Sequence, residues 1–266
     1  MMRIRVGAAA AALLAFGATQ AQAEGWLSGN WYLKVGGAVL STPKFEGASG
    51  SKFAFQPMIS LGKAGPSARF SSRNDNISLA LMDTGTFRAG ATGKLIFRRD
   101  GDTHDALRGL SPVRFGGEAG AFAEVYPSDF LRVRAEVRRG IRSHDGVVAD
   151  VAADAFFDVT ETIQLSGGPR VSWASAGYFD AYYGVNPTES GATGLGVYSP
   201  GSGLKSFGVG GAVTWKTTDK LTTSAFAQYA RLAGPAADSS LVRQVGSRTQ
   251  VTVGASAVYR FDFTLP

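Results

Sequence analysis

The stretch Leu131-Arg132-Val133-Arg134-Ala135-Glu136-Val137-Arg138-Arg139 alternates. Leu131, Val133, Ala135 and Val137 are apolar, while Arg132, Arg134, Glu136 and Arg138 are charged. Successive side chains of a strand point to opposite faces, so this segment is a strand with one oily face and one highly charged face. The pattern recurs in the next segment, where Val151, Ala153, Ala155 and Phe157 oppose Asp150, Asp154 and Asp158. It recurs again with Ile163, Leu165, Val171 and Trp173 against Thr162, Gln164, Arg170 and Ser172. Near the end, Val251, Val253, Ala255, Ala257, Tyr259 and Phe261 oppose Gln250, Thr252, Ser256 and Arg260.

Extended along the chain, this reading predicts strands over 30–40, 52–61, 67–72, 76–82, 86–98, 114–126, 130–139, 149–158, 162–174, 204–216, 220–231 and 248–262, about twelve. The pair 67–72 and 76–82 is split at Arg73-Asn74-Asp75-Asn76, where Asn and Asp favour a turn. No helical period stands out, and no Pro- or Ser-rich linker divides the chain. Tight turns at Tyr126–Asp129, Thr160–Glu161 and Thr217–Asp219 alternate with long connections over 99–113, 140–148, 175–203 and 232–247. Short turns on one side and long loops on the other are the layout of an outer-membrane barrel. Water is absent from the hydrocarbon core, so only helices or closed sheets can span it. The fold expected is all-β, a transmembrane antiparallel up-and-down β-barrel. Both chain ends on the periplasmic side require an even strand number, which favours twelve over eleven. Trp31, Tyr126, Phe130, Trp173, Trp215, Tyr229 and Tyr259 fall at strand ends and suit interfacial aromatic girdles.

Composition narrows the chemistry. Apolar residues make up 44% of the 266 and charged residues 18%, below the roughly 25% charged of ordinary soluble domains. There is no Cys, which excludes disulfides, thiol nucleophiles and thiolate metal sites. Two His, His104 and His144, are too few for a multi-histidine metal centre. The net charge of +6 is spread without a basic run, which argues against a nucleic-acid partner.

Met1–Ala23 reads as a cleaved secretory signal peptide. Arg3 and Arg5 precede the apolar run Val6–Phe16, and Ala21-Gln22-Ala23 supplies the small residues for cleavage. The barrel is then expected over residues 24–266. It would sit in the bacterial outer membrane with membrane lipid as a partner.

The charged faces are the most informative constellation. Strands 130–139 and 149–158 are sequential and predicted to pair antiparallel. That would set Arg132, Arg134 and Arg138 against Asp150, Asp154 and Asp158 in the lumen, flanked by Glu118 and Glu124 from the preceding strand. Such a row reads as an ion-selective constriction or as a structural cross-strand ladder. Tyr178, Phe179, Tyr182 and Tyr183 read as a contact surface for a partner or as loop-packing aromatics. His104 and His144 lie in polar loops with no Ser nucleophile marked by context. No catalytic residue, cofactor or metal ligand is assigned, and the chain is read as no enzyme.

Several stretches stand in a familiar order. Toward the C-terminus these are Tyr182-Tyr183-Gly184-Val185, Gly203-Leu204-Lys205-Ser206, Tyr229-Ala230-Arg231-Leu232, Asp238-Ser239-Ser240, Gly246-Ser247-Arg248-Thr249-Gln250 and Tyr259-Arg260-Phe261. Upstream, Gly36-Gly37, Phe55-Gln56-Pro57, Phe87-Arg88-Ala89-Gly90 and Gly168-Pro169-Arg170 join them. Together they resemble the MipA/OmpV family of outer-membrane proteins. The resemblance implies a non-enzymatic scaffold or surface-interaction protein, with a murein transglycosylase and a murein synthase as partners in peptidoglycan metabolism. A small solute channel is the alternative, and an outer-membrane enzyme the third. The family pattern ends at the aromatic of the last strand, whereas here Asp262–Pro266 continue past Phe261, so either Phe261 or Phe263 can serve as the assembly signal.

Overall fold

The computed structural model describes residues 28–63, 70, 72 and 75–266. The leader read over 1–23 lies outside the described residues. So does the strand expected over 67–72, apart from Phe70 and Ser72, which belong to no strand. Eleven strands close into a barrel: β1 (Gly29–Pro43), β2 (Ser51–Lys63), β3 (Ile77–Asp83), β4 (Phe87–Ile96), β5 (Gly116–Ser128), β6 (Leu131–Ile141), β7 (Val147–Asp158), β8 (Ile163–Ala174), β9 (Gly203–Lys216), β10 (Leu221–Leu232) and β11 (Thr249–Leu265). Each strand pairs with its sequence neighbours, and β1 pairs with β11 to complete the ring.

Eleven strands among the described residues correct the expected twelve. Every pairing is antiparallel except β2 with β3, which run parallel through Ser60↔Ser78, Leu61↔Leu79 and Gly62↔Ala80. The cause lies in the connection between them, whose described residues are held inside the barrel. Asp75 accepts two hydrogen bonds from Arg132 at 2.7 and 2.9 Å. Asn76 donates to Glu136 at 2.7 Å, and Phe70 stacks on Phe156 with centroids 4.8 Å apart. Phe70, Asp75 and Asn76 therefore contribute lumen contacts rather than wall. Because β2 and β3 point the same way, the odd number still leaves Gly29 beside Leu265. That end of the barrel carries the short connections 84–86, 129–130, 159–162 and 217–220, and the opposite end carries 44–50, 97–115, 142–146, 175–202 and 233–248.

Alternation sorts the wall into two surfaces. On β6, Arg132, Arg134, Glu136 and Arg138 are buried, while Val137 is 53% exposed. Val151, Val209 and Val253 stand out in the same way from β7, β9 and β11. An apolar outer belt over a polar interior is the arrangement of an outer-membrane barrel. Gly120 lies opposite Arg138 on the inner face, where a Cβ would collide with the backbone of Val137. Of the expected girdle, Phe130, Trp173, Trp215, Tyr229 and Tyr259 are exposed, but Tyr126 is not part of it. Tyr126 shares the inward parity of Glu124, and its hydroxyl lies 3.3 Å from that carboxylate. Trp31 is also buried, with the Lys63 ammonium 6.0 Å from its ring. β11 continues past Phe261 and places Phe263 opposite Trp31.

Two of the long connections, 175–202 and 233–248, fold into α1 (Ala176–Tyr183), α2 (Pro187–Thr193), α3 (Gly234–Asp238) and α4 (Ser240–Val245), which corrects the helix-free reading. At the start of α2, the Asn186 side chain accepts from the Glu189 amide while Glu189 accepts from the Asn186 amide. This reciprocal cap satisfies two donors that the first turn leaves orphaned. No helix among the described residues is long and apolar enough to cross a membrane. If the outer belt meets lipid, Val137→Arg at mid-strand costs roughly 2–4 kcal/mol. Urea unfolding and heat-modifiable gel mobility measure this, and a cost near zero would reject the facing.

Candidate functional site

Strands β4 to β8 bring buried arginines and carboxylates into one continuous cluster. Arg132 is the hub, with 1% of its surface exposed. It donates to Asp154 at 2.8 Å on one side and to Asp75 on the other. Arg134 donates to Glu124 at 2.8 Å and to Glu136 at 2.8 Å. Arg138 donates to Glu118 at 2.8 Å and also pairs with Asp150. Arg88 from β4 reaches Glu124 at 2.6 Å and the Tyr32 hydroxyl at 2.6 Å, and Arg170 from β8 pairs with Asp154. The guanidinium of Arg134 also lies 4.0 Å over the Phe122 ring, a contact that strengthens as water is excluded.

Register dictates the partners. Arg132 stands opposite Asp154, but Arg134 stands opposite Ala152 and Arg138 opposite Val148. Glu136 and Asp150 face each other directly, a pairing of like charges that is unfavourable on a sheet. Arg138 resolves it by donating to both, and Asn76 supplies a further donor to Glu136. The expected rows therefore meet only in part. Arg132, Arg138, Asp150, Asp154, Glu118 and Glu124 lie in the cluster, and Arg134 joins through glutamates rather than through an Asp of β7. Asp158 does not belong. It is exposed at the end of β7 and accepts from Gln164 at 3.0 Å. Glu136, Asp75, Arg88 and Arg170 were absent from the predicted set. Glu136 shares the inward parity of its neighbours and was available from the alternation.

The long connections close the opposite mouth. Tyr178, Phe179 and Tyr183 of α1 are 3%, 0% and 1% exposed, and Tyr182 is partly buried against them. They pack with Val148, Leu232 and Val242, so they are the core of a cap and not a free contact surface. The spacing of four residues puts Phe179 and Tyr183 on one helix face, and Gly146 lets the helix approach, since a Cβ there would collide with Tyr178. His144 joins cap to cluster. Its Nδ1 accepts from the Gly146 amide at 3.1 Å, and its Nε2 lies 3.1 Å from Glu118. Its ring meets the edges of Tyr178 and Tyr182. Glu46 closes the cap from the first loop, with Tyr178 donating to it at 2.6 Å and Lys205 at 3.5 Å. Burial pushes the Glu46 carboxyl up, but Lys205 and the Tyr178 hydroxyl outweigh burial and hold its pKa below the ordinary carboxylate value. Burial, followed by the Glu46 charge, holds the Tyr178 phenol well above its usual range. His104 is a local cap, its Nδ1 accepting from the Ala106 amide at 3.1 Å.

Two cavities flank the cluster. One of about 720 Å³ opens toward the short turns 159–162 and 217–220 and is lined largely by Thr, Ser, Gly and scattered charges. The other, of about 480 Å³, lies toward the cap beside Arg138 and Lys205. Among the described residues no three His, Asp or Glu are grouped to hold a metal ion.

Removing one member of a buried pair strands its partner's charge and costs about 3–5 kcal/mol. In a double-mutant cycle, Arg132→Ala and Asp154→Ala are expected to couple by about 0.5–3 kcal/mol, read as unfolding free energy in detergent. Arg134→Ala and Asp154→Ala, which do not touch, should come closer to additivity, and equal coupling in both cycles would contradict the register. The depressed pKa of Glu46 gives stability that is present above the unfolded carboxylate value and is lost as pH falls through the folded value. Acidification should therefore lower the protection factors of the α1 amides, measured relative to the intrinsic exchange rate at each pH, and Glu46→Gln should flatten that dependence.

The model of the family described as MltA-interacting protein MipA matches residues 35–261. No curated protein matches significantly. Among solved structures, Neisserial surface protein A is 13% identical, with 88% of this chain and 99% of that chain covered and a TM-score of 0.28. OprG from Pseudomonas aeruginosa is 10% identical, with 88% and 97% covered and a TM-score of 0.28. A bacterial polysaccharide outer membrane secretin is 11% identical, with 87% and 98% covered and a TM-score of 0.39. At such identities these likenesses say nothing of function. The family match runs from β1 into β11, through every strand of the barrel, and the chain belongs to the MltA-interacting protein MipA family.

Proposed function

We propose that this outer-membrane barrel is a non-conducting, non-enzymatic scaffold. It would be exported by cleavage after Ala23, and it would hold a murein transglycosylase of the MltA kind at its periplasmic face. The observation that carries the reading is the filling of one side of the lumen by paired charges, with a packed cap at the mouth. The ion cluster spans β4 to β8 with Arg132 and Asp154 each 1% exposed, and α1 is packed over the opposite mouth. The paired charges resist displacement, because their separation leaves each uncompensated in a confined space. The family description supports the transglycosylase as partner. The short turns 84–86, 129–130, 159–162 and 217–220 give it a rigid platform on the side of the barrel that carries both strand termini. A murein synthase is the second partner in this reading, brought to the same face.

Two measurements test it. In planar bilayers the folded barrel should give no steady single-channel current, while Arg132→Ala combined with Asp154→Ala should raise leak. Purified barrel on beads should retain a purified murein transglycosylase, and reversal of charge at Asp219 and Glu161 should weaken retention. Sustained wild-type conductance together with no retention would replace the scaffold with a solute channel. Sequencing of the processed N-terminus should begin at Glu24, and an intact Met1 would reject the export step.

A further inference from the structure

At the capped end of the barrel the outer face stops being purely apolar. The outward row of β6 reads Leu131, Val133, Ala135 and Val137, and then Arg139 and Ile141. Arg139 is exposed, and its cross-strand neighbours are Ala119 on β5 and Val147 on β7. Neither ladder brings it a carboxylate. A guanidinium on a lipid-facing row is costly at the bilayer centre and is tolerated where its head reaches the polar interface. Aromatic side chains mark that interface. Phe97 and Phe115, 61% and 54% exposed, stand just past Ile96 and Gly116, the last pair of β4 and β5, with ring centroids 6.2 Å apart. Ile141, 54% exposed, lies opposite Gly117 beside them.

Two more arginines sit at this rim. Arg142 follows β6 and is exposed. Its Cβ lies 3.2 Å from where a Cβ on Gly116 would stand, which places it next to Phe115. Arg114 precedes Phe115 and is exposed as well. Arg142 has a φ of 67°, and among the described residues no other residue except glycine adopts the left-handed region. Such strain collects at ligand clamps and switch regions. Other exposed arginines of the neighbouring loop are already paired, Arg98 with Asp100 and Arg108 with Asp105. Arg114, Arg139 and Arg142 form no ion pair or side-chain hydrogen bond with any described residue. Asp145, the acid of the 142–146 connection, pairs with none of them. Three guanidiniums with open donors therefore flank an oily patch of Phe97, Phe115 and Ile141. A guanidinium holds phosphate oxygens through two parallel N–H donors, and the patch suits an acyl chain.

We propose that this rim binds a phosphorylated glycolipid of the outer leaflet, with its phosphates held by Arg139, Arg142 and Arg114 and its acyl chains laid along Ile141, Phe97 and Phe115. Phosphate monoesters carry nearly two negative charges each, so a lipid with a pair of them neutralises all three guanidiniums. A zwitterionic phospholipid would bring its own ammonium to the same rim. The inference rests on the scaffold reading only for its orientation, with the short turns toward the periplasm and the cap outward.

The test uses the full refolded barrel in uncharged detergent, with bis-phosphorylated lipid A as the probe and binding read by native mass spectrometry. The probe should bind, and its dephosphorylated form should bind about ten-fold more weakly or worse. Arg139→Gln combined with Arg142→Gln, with folding verified by heat-modifiable mobility, should weaken binding by roughly ten- to hundred-fold. Arg243→Gln, which removes an exposed charge from α4, should leave binding unchanged. Equal binding of the dephosphorylated lipid, or an equal loss in Arg243→Gln and the double variant, overturns the site. Millimolar inorganic phosphate should not displace the lipid, and full displacement would make the rim a site for free phosphate and overturn the lipid assignment. Asp145→Cys in this cysteine-free chain should react with a membrane-impermeant maleimide on intact cells. Reaction only after lysis overturns the outer leaflet as the source, a result separate from whether a transglycosylase is retained. If the double variant does not fold, the phosphate dependence of the wild type decides.

Discussion

Hydrocarbon offers a peptide group no hydrogen-bond partner, and this chain answers that constraint with a sheet that returns to its own first strand. Closure forces one side chain of every pair outward and the next inward, so the outer row must be apolar and all polarity is collected in the lumen. The charged cluster follows from that sorting. Arg132, Arg134 and Arg138 have nowhere to go but inward, and each must find a carboxylate there, because a lone guanidinium in a confined space retains most of its desolvation cost.

Ion pairs of this kind are poor sources of net stability, since Coulomb attraction largely offsets desolvation. What they provide is position. The Arg132 fork holds Asp75 bidentately, which fixes the residue that stands two positions before β3. Arg138 holds Glu136 and Asp150 together across strands that would otherwise repel at that point. Glu118 passes the constraint on to His144, and His144 to the cap aromatics. A single electrostatic cluster thus couples wall, inner connection and cap.

The sequence made the wall and its two faces readable, because a period of two over ten or more residues admits few other structures. All eleven strands fall within a few residues of expected spans. Only the short strand expected over 67–72 has no counterpart among the described residues, where Phe70 and Asp75 meet partners on β6 and β7 that its own pattern does not name. Partner identity inside the cluster resisted for a similar reason. Register is fixed by cross-strand hydrogen bonds, and an offset of two residues would put Asp154 or Asp150, instead of Ala152, opposite Arg134. The cap was more legible than it was read to be. Asn186-Pro187 followed by Glu189 is a helix start, and Phe179 with Tyr183 has the spacing of a buried helix face. Their burial could not be inferred, because loop aromatics pack on a cap or face a partner with the same composition.

The seam between β1 and β11 has a temporal meaning. Asn30 and Thr264, which share a hydrogen bond across it, are 234 residues apart in the chain, so this contact is among the most non-local the fold contains, and non-local pairing is slow to form. Until β11 is delivered, β1 presents a bare edge from Gly29 to Ser41, able to template the wrong neighbour. The last strand synthesised is therefore the one that converts an adhesive open sheet into an inert ring, and the aromatic residues Tyr259, Phe261 and Phe263 ride on the element that decides when that happens.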